Sequence, residues 1–363
     1  MRLEVIKVLD DRGRVVHPER EPAIAPGDLR HMHETMRAVR FLDERLLRLQ
    51  RQGRLGFYLA ATGEEATHVG PVWALRTTDW IFPAYREIGA ALYRGYPWRA
   101  FLSQLFGNTE DPAKGRQMPV HHSARGCNFV SISSPVGTQI PQAVGAAMAA
   151  SFSGKDDVVL TYFGDGATST GAFHVACNLA GVRRAPCILL CRNNGWAISA
   201  PQSVQTATPT FAQKAIAYGM PAVLVDGNDP LALAHVTAQA VARARAGEGP
   251  TLIEARTYRR GAHSSSDDPS VYRDAAEPRE WEKRDPIARF RVYLVEKGVW
   301  SDEDDRRHDQ QLAAELESTL AAVERLPPPG RGTLFEDVYQ SLPWHLVEQA
   351  AELDRLVDRR KRA

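Results

Sequence analysis

A parallel β-sheet covered by helices on both faces is the α/β fold that this 363-residue chain predicts. Three observations carry that prediction. Short β-branched runs alternate with helical segments through the middle of the chain, the arrangement of strands joined by crossover helices. The runs themselves, "VVLTYF" and "CILLC" foremost, are apolar throughout rather than alternating, as befits strands buried on both faces. Each of these two ends in polar residues, Gly-Asp-Gly after the first and Asn-Asn after the second, where sheets of this kind bind ligands.

Taken in order, residues 1–26 carry Pro18, Pro22 and Pro26 among charged side chains and predict an extended arm free to lie on a partner chain. In "DLRHMHETMRAVRFLDERLLRLQRQG" apolar residues recur at three and four, which predicts an amphipathic helix ending at Gly53. Thr62 and Glu65 have the spacing of a capping box ahead of a second helix. The neighbouring Glu64 and Glu65 invite an acid–base reading, but a cap accounts for Glu65 without chemistry.

The strand "DDVVLTYF" is followed by a helix through Leu179, then by the strand "PCILLC" and a helix after Thr210. "AVLVDG", a helix from Pro230 to about Ala246, and "TLIEART" complete the α/β domain pattern. Beyond Arg260, "GAHSSSDDPSVYRDAAEP" reads as a mobile loop. Helices over about 286–297 and 302–326 close a domain spanning 27–330, and residues 331–363 predict a helical tail with a frayed basic end. No internal repeat is present.

Composition narrows the function classes. Hydrophobic residues make up 44% and charged residues 25%, a globular mixture. The formal charge of 45 − 44 = +1 provides no basic field for nucleic acid or an acidic membrane surface. The first residues lack the apolar core of a signal peptide, and no apolar run approaches the roughly 20 residues of a membrane span, so a cytoplasmic protein is expected. Cys127, Cys177, Cys187 and Cys191 show no metal-knuckle spacing; Cys187 and Cys191 fall on one face of a strand, where they pack as small hydrophobes.

With "VVLTYF" and "CILLC" as parallel neighbours, Gly164-Asp165-Gly166 and Asn193-Asn194 emerge at one sheet edge, separated by the 26 residues 167 to 192. A carboxylate and a carboxamide there are hard oxygen ligands suited to Mg²⁺, which binds through few protein groups plus phosphate oxygens and water. The glycines are expected to let the backbone turn tightly, and the next helix to present its positive N-terminus to a phosphate.

This pattern resembles the thiamine diphosphate motif, and the wider chain is similar to the α subunit of the E1 component of 2-oxoacid dehydrogenase complexes, most of all its branched-chain branch. The resemblance spans roughly residues 27 to 345. It rests on "GEEATHVG", "YREIGAALYRGYP", "KGRQMPVHH", "FVSISSPVGTQIPQAVGAA", "GDG" with "CRNNGWAIS", "VDGND" and "HSSSDDPSVYR".

The resemblance implies a thiamine diphosphate-binding fold, its diphosphate-binding half, with roles for particular residues. Asp165, the side chain of Asn194 and the carbonyl of Trp196 would coordinate Mg²⁺; the branched-chain branch often has Glu and Tyr where this chain has Asp165 and Trp196. Arg86, Arg192 and Arg259 would bind diphosphate oxygens, although any one of them is also readable as a surface ion pair. Tyr85, Ser134, Val136, Gly164, Gly166, Ala167 and Ile198 would line the cofactor, with Leu the commoner residue where Val136 stands. His263, able to donate or accept a proton near neutral pH, and Ser264 would be catalytic. Phe57, Tyr58, Met118 and Ser134 would contact the substrate, with core packing the competing account for the first three. Ser133, Thr138 and Gln139 match a monovalent-cation (K⁺) site of some members. Ser264 matches a regulatory serine of some relatives, and Asp274 stands where a second such serine occurs. That difference, with no presequence, suggests an unregulated bacterial enzyme.

The implied activity is decarboxylation of a branched-chain 2-oxoacid and reductive acylation of the lipoyl domain of an E2 partner. The remaining half of the cofactor site would lie on an E1 β subunit in an α₂β₂ heterotetramer. Pyruvate or acetoin is the alternative substrate. A nicotinamide dehydrogenase of the Rossmann type would require Gly-x-Gly-x-x-Gly after a strand, and none is present. An inactive relic of the fold would be expected to have lost Asp165, Asn194 or His263.

Overall fold

The computed structural model describes residues 3–362, with side chains through residue 360. Its elements run β1 (Val5–Ile6), α1 (Pro26–Arg51), α2 (Ala66–Trp73), β2 (Trp80–Phe82), α3 (Ile88–Tyr93), α4 (Trp98–Phe106), α5 (Gln139–Phe152), β3 (Val159–Gly164), α6 (Gly171–Arg183) and β4 (Cys187–Asn193). There follow a small hairpin of β5 (Trp196–Ala197) and β6 (Ala200–Pro201), α7 (Gln202–Gln205), β7 (Ala222–Asp226), α8 (Pro230–Arg245) and β8 (Thr251–Arg256). The chain ends with α9 (Ala276–Glu282), α10 (Pro286–Glu296), α11 (Asp302–Val323) and α12 (Trp344–Arg362). No helix among the described residues is long and apolar enough to cross a membrane.

Six strands form one parallel sheet in the order β1-β7-β8-β4-β3-β2. The fold class is therefore the expected one, with β3 and β4 as neighbours. Alternate residues of β4 enter different cores: Ile188 and Leu190 join the cluster built with α1, α2 and α8, while Cys187, Leu189 and Cys191 join that built with α5 and α6. Burial on both faces explains the uninterrupted apolar runs. All four cysteines are free.

Several expectations change. The N-terminal segment is no detached arm: β1 pairs with β7, and Val8 and Leu9 are fully buried, their amides donating to Asp229 Oδ2 at 2.7 Å each. No capping box forms at the start of α2. Thr62 donates its hydroxyl to Asp43 at 3.0 Å, and Glu65 accepts from the Gly63 amide at 2.9 Å and pairs with Arg40 at 2.5 Å. The buried Asp43 takes three donors, Tyr58 Oη, the Ala61 amide and Thr62, and so outcompetes the local cap. After Thr210 the chain makes a 3₁₀ helix, Ala212–Tyr218, rather than an α-helix. The serine-rich loop is folded: Arg273 donates to the carbonyls of Arg259 and Arg260, and Tyr272 to Asp267 at 2.6 Å. The C-terminal helix begins only at Trp344, and its backbone stays helical to Arg362.

Candidate active site

At the carboxyl ends of β3 and β4 Gly164 pairs in register with Arg192, so Asp165 and Asn194 leave the sheet side by side. They face a cavity of about 480 Å³ whose wall includes Tyr85, Arg86, Ser133, Ser134, Val136, Gln139, Gly164, Gly166, Ala167, Arg192, Trp196, Ile198, Arg259 and His263. The chain thus gathers residues from positions 84 to 263 around one space.

The turn after β3 differs from the expectation. Gly164 keeps a negative φ and has open space where a Cβ would stand. Gly166 is the glycine the packing demands, because an added Cβ would lie 2.8 Å from that of Ala197. A 3₁₀ turn, Asp165–Ser169, separates the strand from α6, and both that turn and Thr170, the N-cap of α6, line the cavity.

The electrostatics of the cavity wall carry its chemistry. Asp165 is 2% exposed, and burial pushes its carboxyl up to about 6; its hydrogen bond is from Gln205 Nε2 at 2.7 Å, and no cationic side chain pairs with it among the described residues. Arg259 is 1% exposed and pairs with no carboxylate among the described residues; it donates to the carbonyls of Trp196 and Ile198 and to Tyr272 Oη. Its Nε has no hydrogen-bond partner among the described residues. A buried carboxylate and a buried guanidinium, each without a direct ion-pair partner, are costly. A metal ion bound to a polyanion answers both. The donor set of Asp165, Asn194 Oδ1 and a backbone carbonyl fits Mg²⁺, whereas no cluster of three or more His, Cys, Asp or Glu is placed to hold a metal among the described residues.

Arg86 and Arg192 are also buried, and neither is a surface ion pair. Arg192 pairs through Nη1 with Glu64 and through Nη2 with Glu87 at 2.5 Å. Arg86 lies 3.8 Å from Glu64 and donates to the carbonyls of Ala60 and His263. Gly63 permits the turn that delivers Glu64: its φ is +99° and a Cβ there would meet the Tyr258 carbonyl at 2.5 Å.

His263 corrects another expectation. Burial and then Arg86 and Arg259 push its pKa down to about 4, so it is neutral at pH 7 rather than poised to change charge. Arg86 and Arg259 approach Nδ1 at 3.2 and 3.4 Å. Since a guanidinium can only donate, Nδ1 is the acceptor and Nε2 carries the proton. Tyr85 stands edge-on to the ring, with centroids 5.9 Å apart.

The remaining assigned residues are less close. Ser264 lines an adjoining recess with Arg51, Arg260 and Asp267 rather than the main cavity. Phe57, Tyr58 and Met118 are absent from the cavity wall. Tyr58 is buried with its hydroxyl on Asp43, Phe57 packs on the core, and Met118 is half exposed. Thr138 and Gln139 donate to the carbonyls of Pro135 and Tyr162.

Sequence reasoning missed Glu64 as a site residue, and also Glu87, Gln205 and His121. His121 Nε2 lies 2.7 Å from Ser134 Oγ, and its Nδ1 3.1 Å from the Pro119 carbonyl. The carbonyl requires a proton on Nδ1, so in the neutral ring Ser134 donates to Nε2. Asp43 left a visible signal, an acid in the apolar stripe of Val39, Leu42 and Leu46. Glu64, Glu87 and His121 lie within matching strings that give them no role, and only folding sets them behind residues of the cavity wall.

Ile198 adopts φ +55° with its side chain half exposed, an unfavourable backbone for a β-branched residue. Its carbonyl holds Arg259 at 2.8 Å, which places the strain at the site. Ile198→Asn is expected to stabilise the chain by about 1 kcal/mol, because asparagine tolerates this backbone. A melting curve without ligand checks it; an unchanged or lower melting temperature would refute the strain.

A model of the family described as dehydrogenase E1 component matches residues 33–331. The chain is 43% identical over 354 residues to the human mitochondrial 2-oxoisovalerate dehydrogenase subunit alpha, covering 97% of this chain and 80% of that protein. It is 42% identical over 356 residues to the Caenorhabditis elegans protein of the same name, covering 97% and 82%. The Arabidopsis thaliana mitochondrial 2-oxoisovalerate dehydrogenase subunit alpha 2 is 41% identical over 349 residues, covering 96% and 74%. On a match across most of its length and on relatives of this closeness, the chain belongs to the dehydrogenase E1 component family.

Proposed function

We propose that this chain is the α subunit of a thiamine diphosphate-dependent E1 enzyme that, with a β subunit, decarboxylates branched-chain 2-oxoacids and acylates the lipoyl group of an E2 partner. The observation that carries the reading is two buried charges of opposite sign, Asp165 and Arg259, on one cavity wall and neither in a direct ion pair among the described residues. The names of the 2-oxoisovalerate dehydrogenase relatives support the substrate class. Val136 and Ile198, apolar and more than half exposed at the cavity, suit a site that a second chain covers.

Thiamine diphosphate, when bound, supplies the electron sink for decarboxylation. Asp165, Asn194 Oδ1 and the Trp196 carbonyl would hold Mg²⁺, the last by giving up its 3.2 Å bond from Arg259. Arg259, freed in this way, would turn its donors to diphosphate oxygens, with Arg86 and Arg192 adding positive potential from beneath. His263 presents Nε2–H as a neutral donor, able to hold an oxygen of the substrate without adding charge. Ser134, hydrogen-bonded to His121, offers a remaining lone pair to the same space. Ser264, from its adjoining recess, would act only through a change in the loop. Phe57 and Met118 would reach the substrate only as the rim of a pocket completed by the partner, and K⁺ among Ser133, Thr138 and Gln139 would stiffen the turn at Ser134.

The test is artificial-acceptor reduction by co-expressed α and β chains with thiamine diphosphate and Mg²⁺. Turnover is expected with both chains and absent with α alone, with 3-methyl-2-oxobutanoate and 4-methyl-2-oxopentanoate preferred over pyruvate and acetoin. Preference for pyruvate or acetoin would overturn the substrate class; turnover by α alone would overturn the divided site.

A further inference from the structure

We infer that Glu64 is a positioning residue that decides which end of the Asn194 carboxamide faces the metal site. The inference rests on the metal-site reading of Asp165 and Asn194. Glu64 is fully buried and absent from the cavity wall, so it acts through its neighbours. Asn194 Nδ2 lies 3.2 Å from each of its carboxylate oxygens. A carboxylate accepts and cannot donate, so the NH₂ end of Asn194 is drawn to Glu64 and Oδ1 is turned away. Oδ1 then has one contact, from the Trp196 amide at 3.3 Å, and a lone pair left for a cation. The reversed carboxamide would set two acceptors against each other in a buried space and offer an NH₂ group to the metal.

Glu64 is fixed in turn. Arg192 Nη1 donates to its Oε2, and Arg86 Nε lies 3.8 Å from its Oε1. Arg192 is itself held from the other side by Glu87. The orientation of one metal ligand is therefore set by a buried row of alternating charges that begins at Glu87.

Glutamine at position 64 separates this role from mere bulk. Arg192 can only donate and so claims the new amide oxygen, which takes one of the two acceptors from Asn194 Nδ2, sets an NH₂ against it and favours the reversed carboxamide. Glu64→Gln is expected to weaken Mg²⁺ affinity by roughly 10- to 100-fold, the usual effect of losing a partner that orients a ligand. Adding Asn194→Asp to Glu64→Gln reverses the hydrogen bond, glutamine donating to aspartate, keeps the total charge, and returns an oxygen to the metal. The double variant is expected to recover most of that roughly 10- to 100-fold loss in Mg²⁺ affinity.

The experiment is calorimetric titration of thiamine diphosphate into the cofactor-free α–β assembly over a range of Mg²⁺ concentrations, with melting curves for each variant. Loss in Glu64→Gln at an unchanged melting temperature, with recovery in the double variant, supports the inference. Parent-like Mg²⁺ dependence in Glu64→Gln overturns it, as does a folded double variant that fails to recover. If Glu64→Gln does not fold, the double variant alone decides by the same criterion. Asp165→Asn tests the underlying reading: if it too leaves Mg²⁺ dependence untouched, the metal site itself is misplaced. If only Asp165→Asn loses it, the positioning role of Glu64 alone fails.

Discussion

Asp165→Asn is expected to raise the melting temperature of the ligand-free chain and at the same time to abolish its Mg²⁺-dependent binding of thiamine diphosphate. The two effects have one cause. Burial raises the Asp165 carboxyl from 3.8 to about 6, so the ionised form costs the folded chain on the order of 3 kcal/mol at neutral pH. The unfolded chain loses this proton near pH 4 and the folded chain near pH 6. The contribution of Asp165 to stability is therefore present below pH 4, falls as pH rises through 6, and stays lost above. Asparagine removes the titration and can still accept the Gln205 hydrogen bond. The metal needs the ionised form, so binding to the parent is expected to weaken as pH falls below 6. Loss of the ligand should cost at least the roughly 10- to 100-fold that loss of a supporting partner does. Melting curves between pH 4 and 8, with and without Mg²⁺ and cofactor, check both halves. A lower melting temperature for the variant without ligand would show that Asp165 is compensated by a group in the fold.

The second large effect separates two buried arginines that look alike in the sequence. Arg192→Ala strips Glu64 and Glu87 of their shared cation and leaves two buried carboxylates, so a loss of about 3–5 kcal/mol or failure to fold is expected. Arg259→Met removes a cation with no carboxylate partner, gives up bonds to two carbonyls and a tyrosine, and retains the apolar stem. Its melting temperature is expected to stay within a few degrees of the parent, a change of about 1 kcal/mol or less. Its affinity for the diphosphate should fall by roughly 10- to 100-fold, the worth of a charge-assisted hydrogen bond. Denaturant titration and calorimetry together distinguish the two. Equal destabilisation by both variants would mean that Arg259 has a structural anion after all.

What the sequence makes legible follows from how local each cause is. β3 and β4 are buried on both faces, which writes them as apolar runs, and their register brings Asp165 beside Asn194 without further information. β2 is three residues long and has no such signature. Tyr58 illustrates a different limit: a matching string places the segment, but the side chain is turned to Asp43, whose burial pushes its carboxyl up to about 7 and leaves it hungry for donors. The same acid undoes the capping box by taking Thr62. Glu64 lies 128 residues from Arg192 and 130 from Asn194, so the pairing that organises the site forms only when the fold sets the turn before α2 against the end of β4. The flanking residues of His263 mark its place, yet its charge state is set by burial and then by Arg86, 177 positions away.

Strand β1 has a meaning in time as well as in space. Its partner strand β7 and the Asp229 carboxylate that gathers the amides of Val8 and Leu9 lie some 220 residues downstream. At 5–20 residues per second, translation needs on the order of ten to forty seconds to make that distance. β1 thus leaves the ribosome long before it can find its place, and until it does the β7 edge of the nascent sheet stays open to other strands.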